Sequence, residues 1–347
     1  MHLLNQICPK MKSYHSHGKF LLTGEYLVLR GAFSLALALP LKLGQTLSVE
    51  TRHGTSLQWD AHKPDEHWFS VTLDPKNLEI IHCTDQNKAK KLAQILQAVK
   101  SLNPNAFEGN DLNFTTRLDF DPNWGLGSSS TLIANLAQWA DVNPYELLKL
   151  TFGGSGYDIA CATAEGPIYY QLIEKESDCL EKGFFESPLP PLKGGSAKRQ
   201  SETTRKIEPV YFQPSFAEHL FFVYQGQKQS SSKEVKAFLE KTNPIDLQKD
   251  IEAVSEISRA VPKCETLDDF GLLMQCHERI IARCIGQTPV QKRFPDFEGT
   301  LKSLGAWGGD FILAATEWDE NRVREYFKKN DLEVVFGYND LFLGKNV

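Results

Sequence analysis

The chain has 347 residues, of which 41% are hydrophobic and 24% are charged, so it can bury a sizeable core and suits two packed halves. The formal net charge of −6 argues against nucleic acid as a partner, because such partners need a basic face. The longest apolar stretch, residues 32–41, is too short to span a membrane, and the N-terminus lacks the apolar region of a signal peptide.

The cysteines are odd in number, and no two of them form a C-x-x-C pair. This pattern predicts reduced thiols in a cytoplasm and argues against a disulfide framework or a zinc site. The seven positions are Cys8, Cys83, Cys161, Cys179, Cys264, Cys276 and Cys284.

Periodicity predicts the elements of the first half of the chain. Apolar residues on one helical face predict a helix over 88–100, and a second helix follows at 131–140. Asn143 and Pro144 suit the cap and first position of a third, short helix. Residues 51–76 have no clear period and are predicted as loops plus an edge strand. Strand character is found at 19–30, 33–39, 46–51, 111–119 and 159–172.

The second half begins after a segment rich in Pro, Gly, Ser and Lys at 186–209, which is predicted to be a long mobile loop or a boundary segment. The order of the elements that follow predicts an α+β sandwich with helices on one face. These elements are strands at 220–224, 311–315 and 333–336, and helices at 246–259, 267–284 and 320–329.

A glycine- and serine-rich segment, Trp124–Ser130 (WGLGSSS), lies between a predicted strand and a predicted helix. Its glycines let backbone N–H groups turn inward, and the positive helix end completes an anion cradle. Serine hydroxyls can add hydrogen bonds or ligate Mg²⁺. The alternative for this segment alone is a solvated turn that caps a helix. It is not a Walker A loop, because no G-K-[ST] follows.

Four segments in chain order resemble the signature of the GHMP kinases, the group of galactokinase, homoserine kinase, mevalonate kinase and phosphomevalonate kinase. They are GKFLLTGEY at 18–26, GLGSSS at 125–130, GSGYDIA at 154–160 and KSLGAWGGD at 302–310. The resemblance implies an α+β GHMP kinase fold. An N-terminal domain like ribosomal protein S5 domain 2, with a left-handed βαβ crossover, would occupy 1–175, and a C-terminal ferredoxin-like α/β sandwich would occupy 176–347. ATP and an acceptor would meet in the cleft between them.

Within this group, several short segments resemble phosphomevalonate kinase. They are Gly24-Glu25-Tyr26, Gly308-Gly309-Asp310 and residues 224–231, while GYDIA resembles a bacterial subgroup associated with the mevalonate pathway. The resemblance implies a cytoplasmic kinase that uses ATP and Mg²⁺ to phosphorylate phosphomevalonate, as a monomer or homodimer. The alternatives are a mevalonate kinase, a diphosphomevalonate decarboxylase, or a non-catalytic paralogue that binds nucleotide or metabolite.

The resemblance also implies residue roles. Asp158 would orient or deprotonate the acceptor hydroxyl, and Lys19 would pair with Asp158 and stabilise charge on the transferred group. The alternatives are a helix-cap aspartate and a solvated strand-end lysine. The ATP-binding residues would be Gly125, Leu126, Gly127, Ser128, Ser129 and Ser130, and the substrate-binding residues Lys19, Gly156, Tyr157, Ser230, Ser231, Gly305, Gly308 and Gly309.

The sequence departs from the family pattern in two places. Trp307 replaces a glycine of the fourth segment, and the interval from Ser128 to Asp158 is short, as if a helix were missing. In mevalonate kinases that region supplies a glutamate to Mg²⁺, so Glu146 is the nearest candidate here, beside Ser128 and Ser129.

Other polar residues have roles that the sequence leaves open. Glu25 could be a buried partner for a backbone or basic group, and His277 is predicted to pack on an apolar helix. An acceptor phosphate would have Lys12, Lys228 and Lys233 as natural partners, although each is more often a solvated lysine.

Overall fold

The computed structural model describes residues 11–40, 43–52, 56–107, 111–174, 203–226, 231–243, 245–305, 307 and 310–342. Across these ranges, no helix has both the length and the apolar character needed to cross a bilayer. Each cysteine in the described ranges is free: Cys83, Cys161, Cys264, Cys276 and Cys284.

The first sheet has six strands in the order β1-β4-β8-β5-β6-β7. Their bounds are Met11–His17 (β1), Gly44–Arg52 (β4), Leu57–Lys63 (β5), Glu66–Leu73 (β6), Ile80–Cys83 (β7) and Asp111–Leu118 (β8). The prediction of loops plus an edge strand at 51–76 is wrong, because β5 lies between β8 and β6 inside the sheet. Alternate residues of β5 and β6, such as Trp59 and Val71, are buried in the core that this sheet forms with the helices packed on it.

Three helices flank this sheet: α1 (Gln86–Leu102), α2 (Ser128–Ala140) and α3 (Pro144–Thr151). All three predicted helices are confirmed. The Asn143 side chain accepts hydrogen bonds from the N–H groups of Tyr145 and Glu146, which is the predicted N-cap of α3. Helix α2 begins at Ser128, so the serines of the glycine-rich segment form its first turn.

The second sheet has the order β10-β9-β3-β2, with bounds Lys19–Thr23 (β2), Ser34–Ala38 (β3), Ile168–Glu174 (β9) and Thr203–Pro209 (β10). The strand predicted at 19–30 ends early, since Gly24 turns the chain at φ +96° into a 3-10 helix at Leu27–Arg30.

Two further expectations for this sheet need correction. The strand predicted at 159–172 begins instead as helix α4 (Tyr157–Thr163), with Gly156 as its N-cap. The predicted mobile loop 186–209 ends in β10, which pairs with β9 along its whole length. Cross-strand pairing therefore overrides the loop-like composition of 203–209, while 186–202 lie outside the described residues.

The third sheet is antiparallel, in the order β12-β13-β11-β14. Strand β12 was not predicted as a strand. Helices cover both faces of the sheet rather than the one expected, because residues alternate along β11: Phe221 packs with Phe327, and Phe222 lies in the core with Phe270. The strands are Leu220–Tyr224 (β11), Thr300–Leu304 (β12), Phe311–Ala315 (β13) and Val335–Gly337 (β14); the helices are Ser231–Lys241 (α5), Gln248–Ala260 (α6), Leu267–Ile285 (α7), Glu320–Lys329 (α8) and Tyr338–Phe342 (α9).

Strand β2 joins the second sheet to the third. The Phe20 ring stacks on Phe222 with centroids 4.8 Å apart, and it meets the edge of Phe311 at 5.1 Å. Aromatic burial of this kind holds the start of β2 against the β12–β13 hairpin. The α+β class predicted from the sequence is confirmed, while the division into domains at 175/176 stays a prediction.

Candidate active site

The glycine-rich segment forms a tight turn into α2. Gly125 and Gly127 have φ of +69° and +103°, in the left-handed region that favours glycine. The Ser130 hydroxyl donates to Gly127 O at 2.9 Å and is buried, so Ser130 stabilises the turn itself. Ser128 is half-buried and Ser129 is exposed at the helix N-terminus, where amide groups favour an anion.

Lys19 binds this turn at two places. Its backbone N–H donates to Leu126 O at 2.9 Å, and its ammonium donates to Gly125 O at 2.8 Å. Burial lowers the pKa of Lys19, but the neighbouring Tyr157, Asp310 and Asp158 outweigh burial and raise it to about 12. The ammonium therefore stays charged beside the anion cradle at neutral pH.

Asp158 is the second residue of α4, and its carboxylate accepts a hydrogen bond from the N–H of Ile159 at 3.0 Å. Burial raises the pKa of Asp158, while the charge of Lys19 opposes that rise. The Lys19 ammonium donates hydrogen bonds to Gly125 O and to the Tyr157 hydroxyl, and it acts on Asp158 through its charge. Lys19 also lies 5.7 Å from the ring centroid of Tyr157, so the predicted Lys19, Tyr157 and Asp158 come together at the turn.

Asp310 ends the fourth segment, and the sequence assigned it no role. Its side chain is 6% exposed, and it lies against two glycines from distant parts of the chain. A Cβ atom on Gly125 would be 2.6 Å from Asp310 Cγ, and one on Gly305 would be 2.5 Å from Asp310 Oδ2. Glycine is thus required at both positions for the segments to meet across this carboxylate.

Arg205 was missed entirely, because it lies in the part of the predicted loop that forms β10. Its guanidinium lies 4.2 Å from the ring centroid of Tyr145. A Cβ atom on Gly156 would be 3.4 Å from Arg205 Nε, so this cation lies at the start of the helix that carries Asp158. The Nε atom is buried and has no hydrogen-bond partner among the described residues, while the guanidinium as a whole also interacts with the Tyr170 hydroxyl. No local sequence signal points to Arg205.

The other predicted site residues are exposed, have side chains that are not described, or lie outside the described residues. Glu146 is exposed in the first turn of α3, and Lys12 is exposed on β1. Ser231 begins α5, but its side chain and that of Lys233 are not described, and Ser230, Lys228, Gly308 and Gly309 lie outside the described residues. In the described part of the chain, no three His, Cys, Asp or Glu side chains cluster as metal ligands.

Trp307, which stands where the family has a glycine, is a core residue at 7% exposure. It belongs to a buried cluster with Tyr26 and Phe238, and its backbone N–H donates to the Tyr26 hydroxyl oxygen at 3.4 Å. That hydroxyl donates to Glu234 Oε2 at 2.6 Å, which connects the fourth segment to α5. The indole therefore fills the space between these elements.

No protein-family model matches the sequence, and no curated protein sequence matches it significantly. Solved structures do match its fold. A mevalonate kinase from Methanococcus jannaschii superposes with a TM-score of 0.61 at 16% identity, covering 95% of this chain and 98% of that one. A Streptococcus pneumoniae phosphomevalonate kinase in complex with phosphomevalonate and AMPPNP gives 0.62 at 13% identity, over 94% and 99%.

A Lactococcus lactis galactokinase complexed with galactose gives a TM-score of 0.59 at 11% identity, over 94% of this chain and 93% of that one. Identities this low identify the fold and not the substrate. The three kinases act on different acceptors, yet each superposes on nearly the whole chain. The chain therefore has the fold of the GHMP kinases, as its four signature segments predicted.

Proposed function

We propose that this protein is an ATP-dependent kinase that transfers the γ-phosphoryl group to phosphomevalonate. One observation carries the proposal: the Lys19 ammonium is hydrogen-bonded to the glycine-rich turn and interacts electrostatically with Asp158. Phosphoryl transfer asks a protein mainly for positioning and charge stabilisation, and this arrangement offers both beside an anion cradle.

Each residue has a separate task in the proposed reaction. The N–H groups of the turn and of the first turn of α2 bind the triphosphate, and Lys19 neutralises charge that develops on the transferred group. Asp158 accepts the proton of the acceptor hydroxyl. Burial raises its pKa, and a base whose pKa lies nearer the working pH accepts a proton more effectively.

Mg²⁺ fits the oxygen donors near the turn. Mg²⁺ commonly takes one or two carboxylates and completes its shell with phosphate oxygens and water. Asp310, which lies against Gly125, and the half-buried Ser128 would hold it, with Ser129 and Glu146 as further candidates from the sequence. When bound, the ion neutralises phosphate charge.

Arg205 supports an acidic acceptor over a neutral sugar. Its buried Nε at the start of α4 has no partner among the described residues, and a guanidinium binds carboxylate or phosphate strongly. The GEY and GGD segments, together with the ligands of the Streptococcus pneumoniae enzyme, favour phosphomevalonate among the acids. Mevalonate is the second candidate.

We expect Arg205→Met to raise the KM for an acidic acceptor at least about tenfold, because a charge-assisted hydrogen bond contributes about 1.5–3 kcal/mol. The KM for ATP should change little. Lys206→Met is the matched control, since Lys206 is the next residue of β10 and is exposed. An unchanged acceptor KM in Arg205→Met would remove this support for an anionic acceptor.

A coupled assay of ADP release tests the function itself, with phosphomevalonate, mevalonate and galactose as acceptors. Turnover of phosphomevalonate with the highest kcat/KM is the expected result. Preference for mevalonate would move the assignment to a mevalonate kinase, and CO₂ release from diphosphomevalonate would indicate a decarboxylase. Nucleotide binding without ADP release from any acceptor would favour the non-catalytic paralogue.

Gly125→Ala tests the anion cradle. We expect nucleotide affinity to fall at least about tenfold, because the new Cβ would meet the Asp310 carboxylate at 2.6–2.7 Å and also occupy a left-handed conformation. Gly153→Ala is the control: its φ is +67°, but no atom lies within 4 Å of the position that its Cβ would take. Calorimetric titration should show weak nucleotide binding by Gly125→Ala and normal binding by Gly153→Ala. Equal nucleotide affinities of the two variants would argue against the cradle.

The setting of the enzyme is also part of the proposal. Its free cysteines suit a reducing cytoplasm. The partners proposed are ATP and a small acidic metabolite, with no role for nucleic acid or a membrane, and the chain acts as a monomer or homodimer.

A further inference from the structure

A second pair of opposite charges lies away from the proposed reaction centre, deep in the protein. Glu25 follows the end of β2, Lys302 lies in β12, and their side chains are 2% and 1% exposed. The Lys302 ammonium donates to Glu25 Oε1 and to Ser303 O, the latter at 2.8 Å. The sequence prediction that Glu25 is a buried partner for a basic group is confirmed.

Helix α7 contributes two further buried polar side chains beside this pair, His277 and Glu278. The Gly24 N–H donates to His277 Nε2 at 2.8 Å, so the imidazole is neutral, and burial lowers its pKa well below the usual value. Glu278 accepts hydrogen bonds from the N–H of Ser303 at 3.1 Å and from its hydroxyl at 3.0 Å. The first and fourth signature segments are therefore joined through one buried network, and His277 is packed as predicted.

The same elements, β2 and the β12–β13 hairpin, also approach each other at the proposed reaction centre. Lys19 is the first residue of β2 and Glu25 follows its end, while Lys302 lies in β12 and Asp310 directly precedes β13. Lys19 and Asp310 interact electrostatically beside the glycine-rich turn. The β2 strand and the β12–β13 hairpin thus have charge contacts at two places along their length, with the packing of Phe20 on Phe311 as an apolar contact.

Stability alone gives little reason for such a pair. Removing two charges from water is costly, and replacing a buried ion pair by apolar residues of similar volume is often neutral or stabilising. A buried, hydrogen-bonded pair can, however, favour one alignment of the elements that carry it, because a slip leaves both polar groups without their partner in the core. Burial raises the pKa of Glu25 to about 7, and the neighbouring Lys302 is what lowers it towards the charged form.

We propose that Glu25 and Lys302 are positioning residues: their ion pair sets the alignment of β2 with the β12–β13 hairpin and thereby places Lys19 against Asp310 and the glycine-rich turn. The inference rests on the proposed function only in so far as Lys19 acts in catalysis. A displacement of about 1 Å at a reacting group can cost about 100-fold in rate.

The decisive variant is the double substitution Glu25→Met with Lys302→Met, which removes both charges and keeps the side-chain volume. We expect a melting temperature equal to or above that of the wild type, with kcat lower by roughly 10- to 100-fold and the KM for ATP within a few fold. Phe327→Leu is the control, because Phe327 is fully buried on the other face of the third sheet, so it changes stability and not kcat.

A second measurement needs no substrate. Hydrogen–deuterium exchange of the amides in 125–131 should be faster in the double variant and unchanged in Phe327→Leu. If the wild type phosphorylates no acceptor, the proposed function fails while this comparison still decides the positioning role. Should the double variant not fold, Glu25→Asp keeps both charges at the wrong length and should still lower kcat and speed exchange. A folded double variant with wild-type kcat and wild-type exchange would overturn the inference.

Discussion

Asp158→Asn is expected to lower turnover by roughly 10²- to 10⁴-fold, the range that a positioned general base contributes. Asparagine has nearly the same shape, and its Oδ1 can still accept the hydrogen bond from the N–H of Ile159, so the start of α4 should be retained. Turnover falls because the amide cannot accept the proton of the acceptor hydroxyl. Nucleotide affinity should stay within a few fold, because the glycine-rich turn is unchanged.

Single-turnover kinetics would measure the loss in Asp158→Asn, with nucleotide affinity taken from calorimetry. Asp319→Asn is the matched control, since Asp319 also begins a helix and its carboxylate accepts a backbone hydrogen bond, from the N–H of Arg322 at 2.9 Å. Unchanged turnover in Asp158→Asn would reduce Asp158 to a residue of the helix start.

Lys19→Met is expected to lower kcat by about 10²- to 10³-fold, as loss of one preorganised charge-stabilising donor typically does. The ammonium binds Gly125 O and is the positive charge that opposes the raised pKa of Asp158. Without it, burial acts unopposed and the pKa of Asp158 rises further. Because Asp158 must be ionised to accept a proton, the acid limb of the kcat profile should move to higher pH.

The kcat of Lys19→Met would be measured from about pH 5 to about pH 9 and compared with the kcat of Lys91→Met over the same range. Lys91 makes the same kinds of contact elsewhere: its ammonium donates to Thr151 O at 3.2 Å and lies 4.2 Å from the Phe152 ring centroid. A Lys19→Met enzyme with nearly normal kcat and an unshifted acid limb would contradict the role of Lys19.

Several elements could be predicted from local residues alone. Helix α3 begins where Asn143 and Pro144 predict it, because capping depends on neighbours two and three residues away. Strands β5 and β6 were predicted as loops plus one edge strand, since their polar and aromatic residues obscure the alternation of buried and exposed positions. Helix α4 was predicted as a strand, because Ile159–Cys161 is apolar enough for either structure and only packing against the sheets decides between them.

The sequence by itself contained the four signature segments in order, and their resemblance to the GHMP kinases predicted the fold and proposed Lys19 and Asp158 as site residues. The glycines of the turn are a local requirement, because the left-handed φ of Gly125 and Gly127 favours glycine. The tertiary structure alone decided that Asp310 lies against Gly125 and that Arg205 lies beside Gly156. These contacts join residues more than 40 positions apart, and long-range contacts depend on strand pairing and side-chain packing, which leave no mark on the neighbouring sequence.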